Sequence, residues 1–267
     1  MSVTAQLLLL AAIMVAVMSL GWVWQARHTN AGIVDVLWSA GLGVAALWSA
    51  WTGSGAFVPR WSMASLGVIW AARLALHLWR RVRGEREDGR YQALRAHWSS
   101  GTQWKFFLFF HFQALLVVLF ALPFVAVARN PVGRITPALS LAVGLWAVSV
   151  AGESIADAQL ARFRRDPANR GRTCRQGLWR YSRHPNYFFE WLHWFTYVAL
   201  AWGSPLFGLA WTGPVVMYVF LRWVSGIPFT EAQSLRSRGE DYRDYQRTTP
   251  MLFPWFPKSS ASVRSLS

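Results

Sequence analysis

The sequence predicts an all-α protein, a polytopic integral membrane bundle of about seven transmembrane helices, and three observations predict it. Apolar residues make up 54% of the 267-residue chain and charged residues only 15%. Several apolar runs reach the ~20 residues that a helix needs to cross a bilayer. The 27 basic residues, set against 12 acidic ones, gather in the segments between those runs. A net charge of +15 on a soluble domain would suggest nucleic acid. Charge confined to loops instead sets membrane orientation and meets anionic lipid headgroups, so membrane lipids are the expected partner and nucleic acid is not.

Seven spans follow in order: 3–24, 31–52, 61–80, 105–128, 136–157, 187–203 and 205–224. The first lacks a basic leading region and a small-residue cleavage site, so it reads as a retained helix and not a signal peptide. Spans two and three carry Asp35, Arg73 and His77, which blur their ends. Turn-forming "TGSG" at 52–55 with Pro59, "RNPVGR" at 129–134 and "GSP" at 203–205 supply three of the connections. Residues 1–258 read as one domain, and the polar stretch 259–267 as a disordered tail.

The basic residues orient these spans. With the N-terminus outside, 23 Lys or Arg fall in inner segments and 3 in outer ones, with Arg73 inside a span. The positive-inside rule therefore places the C-terminus in the cytoplasm. Of the 27 basic residues 25 are Arg, as a GC-rich bacterial genome would favour, which points to a bacterial inner membrane.

The polar residues at membrane depth fall on one side of this topology. Asp35 begins span two, Arg73 and His77 end span three, Glu153 and Asp157 end span five, and Asn186 and Glu190 begin span six. All lie in the cytoplasmic half, and ionisable groups at that depth line a cavity or pair with one another. Bland readings stand beside this one. Asp35 can cap a helix, Arg73 can snorkel, and His77 can be a packed histidine. The loops 80–95 and 162–184 hold more arginine than topology requires, with Tyr91, Trp179 and Tyr181 interleaved. Guanidinium forks suit phosphate oxygens and rings suit a flat heterocycle, so the loops fit either a phosphorylated, nucleotide-like cofactor or lipid headgroups. There is no glycine-rich dinucleotide fingerprint. Cys174 is the only cysteine, which excludes an internal disulfide and a cysteine-rich metal site, and no metal is expected. Its arginine-rich surroundings predict a lowered thiol pKa.

The stretch "GLWRYSRHPNYFFEW" (177–191) is the most specific signal. It resembles the C-terminal signature of the membrane steroid 5-alpha-reductase-like proteins, a superfamily shared with sterol C14 and C24 reductases and isoprenylcysteine carboxyl methyltransferases. Within that superfamily the chain is similar to a bacterial family of uncharacterised membrane proteins. "VDVLWSAGLG" (34–43), "AARLALHLWRRVRGEREDGRYQALR" (71–95) and "EDYRDYQRTTPMLFPWFPK" (240–258) extend the likeness over most of the chain.

The resemblance implies an NADPH-dependent reductase of a C=C bond in a steroid-like or isoprenoid lipid, with its active site open to the cytoplasm. Carried over by position, Asn186 and Glu190 hold the nicotinamide end. Asp157, Arg164, Tyr181, Asp244 and Tyr245 also contact the cofactor, and Arg86 or Arg90 meets its phosphates. Asp35 and His77 stand where the steroid reductases keep a proton-donating glutamate and tyrosine. Two departures are visible. No tyrosine ends span three, and Phe189 replaces the glycine of the motif, which predicts crowding beside the cofactor. Two other readings remain open: an S-adenosylmethionine-dependent methyltransferase, for which the tail offers only Glu231 in place of paired glutamates, and a non-enzymatic lipid-binding protein.

Overall fold

The computed structural model describes residues 1–98 and 100–258, so the expected tail at 259–267 lies outside the described residues. Among the described residues the chain is helical and contains no strand. Thirteen helices are described: α1 (Val3–His28), α2 (Ile33–Thr52), α3 (Phe57–Gly84), α4 (Gly89–His97), α5 (Thr102–Phe120), α6 (Leu122–Val127), α7 (Pro137–Arg165), α8 (Pro185–His193), α9 (Phe195–Leu200), α10 (Phe207–Ala210), α11 (Thr212–Val219), α12 (Ile227–Arg238) and α13 (Glu240–Thr248). A π-helical turn, Phe220–Val224, joins α11 to the segment before α12.

Among the described residues five stretches are long and apolar enough to cross a membrane: Val3–His28, Ile33–Thr52, Thr102–Val127, Pro137–Arg165 and Phe207–Arg238. The sequence expects two more. Helix α3 has the length, 28 residues, but Arg60, Arg73 and the arginines at 80, 81 and 83 dilute its apolar character. The expected span 187–203 is divided into α8 and α9 at Trp194, whose N–H reaches back three residues to Trp191 and interrupts the four-residue ladder. The α5–α6 break has a clearer cause. Pro123 stands in the first turn of α6, where its missing N–H costs no helical bond.

The described residues divide into two compact units, residues 1–142 with 197–213, and residues 143–196 with 214–258. In the first, α2 packs on α1, α3 and α5, and α6 packs on α10. Its core is made of long apolar side chains, Leu10, Met14, Met18, Leu42, Trp70, Phe106, Phe110 and Phe124 among them. In the second, α12 packs on α13, and Trp179, Trp194, Tyr242, Tyr245 and Leu252 are buried. Ring area of this kind supplies a large share of burial for few rotatable bonds.

Candidate functional site

The second unit contains most of the residues that the motif singled out. The stretch enters through Gly177, whose φ of +58° is a left-handed conformation that only glycine adopts without strain. A Cβ there would also overlap the side chain of Gln159, which instead accepts a hydrogen bond from the Leu178 N–H at 2.9 Å. The Trp179 indole donates to the carbonyl of Ala156 at 2.9 Å. Both bonds fasten the loop to α7. Ser182 then accepts from the His184 N–H at 3.1 Å, and Pro185 opens α8 at a position that suits its fixed φ.

Arg183 is the structural centre of the motif. Its guanidinium donates to Glu231 on α12 at 2.7 Å, and to the carbonyls of Gln246 and Thr249 at 3.0 and 2.8 Å. His184 shares the same carboxylate oxygen at 3.2 Å, and Gln246 donates to the other at 2.8 Å. The planar fork of arginine spreads its donors from Nε to Nη1 and so reaches a carboxylate and two carbonyls on different sides, which the compact ammonium of lysine does not. Burial lowers the His184 pKa below its ordinary 6.5, against the pull of Glu231, so the ring is held neutral. Burial, then the nearby Glu231 charge, pushes the Tyr242 phenol up to about 12.

Asn186 sits in the first turn of α8 and is not its cap. Its side-chain oxygen accepts from the Tyr187 N–H at 3.0 Å, and its amide donates to Asp157 on α7 at 3.3 Å. Glu190 follows one turn later, half-buried, and i,i+4 spacing puts it on the same face. The structure thus brings Asn186 and Asp157 together, with Glu190 beside Asn186 along the helix. The Phe189 ring lies against Gly152 of α7, where any Cβ would collide with it. The bulk lost at one helix is taken up by the other.

Four other expected residues have different surroundings. Arg164 is exposed near the end of α7. The Tyr181 carbonyl accepts from the Trp255 N–H at 2.9 Å, and its ring meets Phe256 edge to face. Tyr245 is buried and its one hydroxyl proton lies between the carbonyls of Trp179 and Ser182, at 2.5 and 3.0 Å, so it braces the loop from within. Burial raises its pKa, and it keeps its proton. Asp244 pairs with Arg175 at 2.8 Å, and that bond holds its carboxyl below the usual range. The expectation of an acidic thiol is overturned. Cys174 is buried, and burial raises its pKa despite the surrounding arginines.

The first unit holds Asp35, His77, Arg86 and Arg90. Asp35 stands in the first turn of α2, but the cap position belongs to Gly32. Its two oxygens accept from Arg90 at 3.1 Å and from the Tyr91 hydroxyl at 2.8 Å. Asp88 caps α4, accepting from the Arg90 N–H at 2.9 Å, and pairs with Arg81 and Arg90. Burial, then Asp35, raises the Tyr91 pKa well above 10.0. Arg86 and Asp35 both line a shallow notch with Arg81 and Asp88. His77 is exposed on α3 and makes no hydrogen bond or ion pair among the described residues. The carboxylate of Asp35 thus pairs with a tyrosine of α4 and not with His77. The sequence signal for it was the lone tyrosine inside an arginine loop. Glu231, the partner of the motif Arg and His, was also missed, because it lies 48 residues beyond Arg183.

A family model matches residues 21–249, and the chain belongs to that family, DUF1295, proteins of unknown function. No curated protein and no solved structure matched the chain.

Proposed function

We propose that this DUF1295 member is an integral membrane reductase that uses NADPH to reduce a C=C bond in a steroid-like or isoprenoid lipid, as its resemblance to the steroid 5-alpha-reductases implies. The observation that carries the reading is the Asn186–Asp157 pair, with Glu190 one turn along the same helix face. A nicotinamide carboxamide has two N–H donors and one acceptor. A side-chain amide and neighbouring carboxylates complement those groups. Arg164, exposed near the end of α7, and Arg86, exposed in the loop before α4, suit phosphate oxygens.

In this reading α3 and the α8–α9 segment complete seven spans. The N-terminus lies outside, the C-terminus in the cytoplasm of a bacterium, and the cofactor end opens to the cytoplasm. The distribution of basic residues supports the orientation. When bound, NADPH supplies the hydride. Asn186 and Asp157 orient the nicotinamide, and the apolar helices keep water from the lipid. Within the first unit, Asp35 and Tyr91 are the pair we assign as proton donor. The phenol keeps its proton, and the carboxylate positions it. His77 has no such positioning partner among the described residues.

Thermal shift of the detergent-purified protein tests the cofactor. Stabilisation by NADPH and not by S-adenosylmethionine is expected, and Asn186→Ala or Glu190→Gln should abolish it while the protein still folds. Stabilisation by S-adenosylmethionine alone overturns the reading in favour of methyl transfer, and by neither in favour of a lipid-binding role. Tyr91→Phe should bind NADPH normally and lose turnover, whereas His77→Ala keeps it. The reverse outcome moves the proton to His77.

A further inference from the structure

The segment after α13 has two properties that neither the cofactor nor the proton-donating end uses. Its backbone frames the motif. The Arg183 N–H donates to the carbonyl of Pro250 at 2.8 Å, the Ser182 hydroxyl to that of Leu252 at 2.8 Å, and the Trp255 N–H to that of Tyr181 at 2.9 Å. Its side chains point the other way. Leu252 is buried, but Phe253, Trp255 and Phe256 are 50%, 72% and 73% exposed. Three large rings in seven residues are too concentrated to be incidental surface.

Two ring chains continue this patch to basic residues. Phe256 meets Tyr181 at 5.9 Å, and Arg180 lies over Tyr181 at 6.0 Å. Phe253 stacks on Tyr218 at 6.3 Å, Tyr218 meets Trp223 at 5.6 Å, and Arg222 lies over Trp223 at 5.5 Å. Lys258 closes the segment, its N–H tied to the carbonyl of Thr248 at 2.8 Å. Aromatic rings bordered by cations are what the headgroup layer of a bilayer selects, since the rings fill the acyl boundary and the cations meet lipid phosphate. The backbone fixes the depth. A non-helical segment cannot sit in hydrocarbon, where its unpaired carbonyls would lack partners, but it can lie at the wet interface.

We propose that Leu252–Lys258 is an interfacial anchor that docks on the headgroup region of an anionic bilayer, through Phe253, Trp255 and Phe256 together with Arg180, Arg222 and Lys258. The segment that meets the lipid is also the one that holds Tyr181, Ser182 and Arg183 in place. Lipid composition therefore acts on the motif loop through its frame. The anchor does not depend on the identity of the cofactor.

The full chain in nanodiscs tests it. Trp255→Cys and, separately, Phe256→Cys carry a bimane label. The buried Cys174 of the parent chain provides the labelling blank. Moving from phosphatidylcholine to phosphatidylglycerol discs should shift bimane emission to the blue and suppress quenching by aqueous iodide. Arg180→Gln, Arg222→Gln and Lys258→Gln should each weaken that protection, by about fivefold in apparent lipid affinity. Equal quenching in both discs at both labelled positions overturns the anchor. Protection that ignores lipid charge and the glutamine variants overturns the headgroup assignment. Protection that comes with a doubling of particle mass assigns the patch to a second copy of the chain.

Discussion

Each compact unit contains a carboxylate shared by an arginine and a second polar side chain, but the two are built differently. In the second unit Glu231 and Arg183 are only 16% and 11% exposed, and their neighbour His184 is 3% exposed. In the first, Asp35 and Arg90 are 29% and 36% exposed, with Arg90 also leaning on Asp88. The less exposed arrangement gains less from water if a partner is lost, and it also satisfies the backbone carbonyls of Gln246 and Thr249. The more open one can be rehydrated. Ion pairs of the same composition therefore do different jobs. One specifies how distant pieces of chain meet around the motif, and the other ties α4 to α2.

The comparison is sharpest at Arg183. Arg183→Met would leave Glu231 without its guanidinium and the carbonyls of Gln246 and Thr249 without a donor. Breaking a buried pair from one side costs about 3–5 kcal/mol. We expect a large drop in the melting temperature of the detergent-purified protein. Arg183→Lys should recover only part of it, since an ammonium cannot present a planar fork to three acceptors. If Arg183→Met melts no lower than Arg90→Met, burial does not separate the two clusters.

A second test concerns packing within the same unit. Gly152→Ala drives a methyl into the ring of Phe189. Overpacking of this kind costs about 1–3 kcal/mol. Phe189→Gly alone leaves a gap, but the double variant restores the motif glycine and gives the methyl room. The two changes should therefore compensate, with a coupling of about 0.5–3 kcal/mol in a double-mutant cycle. Strict additivity would separate Phe189 from Gly152.

These cases show how far the sequence could be read. The long apolar runs and the turns between them were legible, because a run of some 20 apolar residues has few alternatives to a helix that meets lipid. The short motif was legible because its glycine, proline and polar residues act over a few positions. What could not be read were the partners across sequence. Asp35 and Tyr91 are separated by 56 residues, and Arg183 and Thr249 by 66. No local pattern encodes either pairing. Composition also misled at Cys174, where neighbouring arginines in sequence counted for less than burial in the fold. The span expected at 187–203 read as one helix because its hydropathy is continuous, and hydropathy carries no sign of the break at Trp194.

A pH titration extends the comparison to a milder perturbation. The folded His184 pKa lies below the unfolded value near 6.5, chiefly through burial, with Glu231 opposing and the Arg183 charge adding to the shift. The unfolded chain then binds more protons than the folded one as pH falls below 6.5. Stability from the neutral ring is fully present above that pH and declines between 6.5 and the lower folded pKa. His184→Gln should remove this part of the pH dependence and leave the remainder. A parent and a variant with parallel stability–pH curves across that window would mean that the ring is protonated in the fold.

The smallest effect is expected at Tyr91. Its ring is 3% exposed, so Tyr91→Phe keeps the packing and deletes only the hydroxyl. Asp35 then loses one donor at 2.8 Å but retains Arg90 at 3.1 Å. A hydrogen bond to a charged group contributes about 1.5–3 kcal/mol net, and the 29% exposure of Asp35 allows water to replace the phenol and return much of it. Exposed ion pairs likewise contribute about 1 kcal/mol or less, so Arg90→Met should be similarly mild. The stability of Tyr91→Phe should therefore fall by no more than about 1 kcal/mol in chemical unfolding, below the range for a charged acceptor that water cannot reach. A loss as large as that of Arg183→Met would mean that Asp35 is cut off from water in the folded protein. The contrast between an open and a closed carboxylate would then disappear.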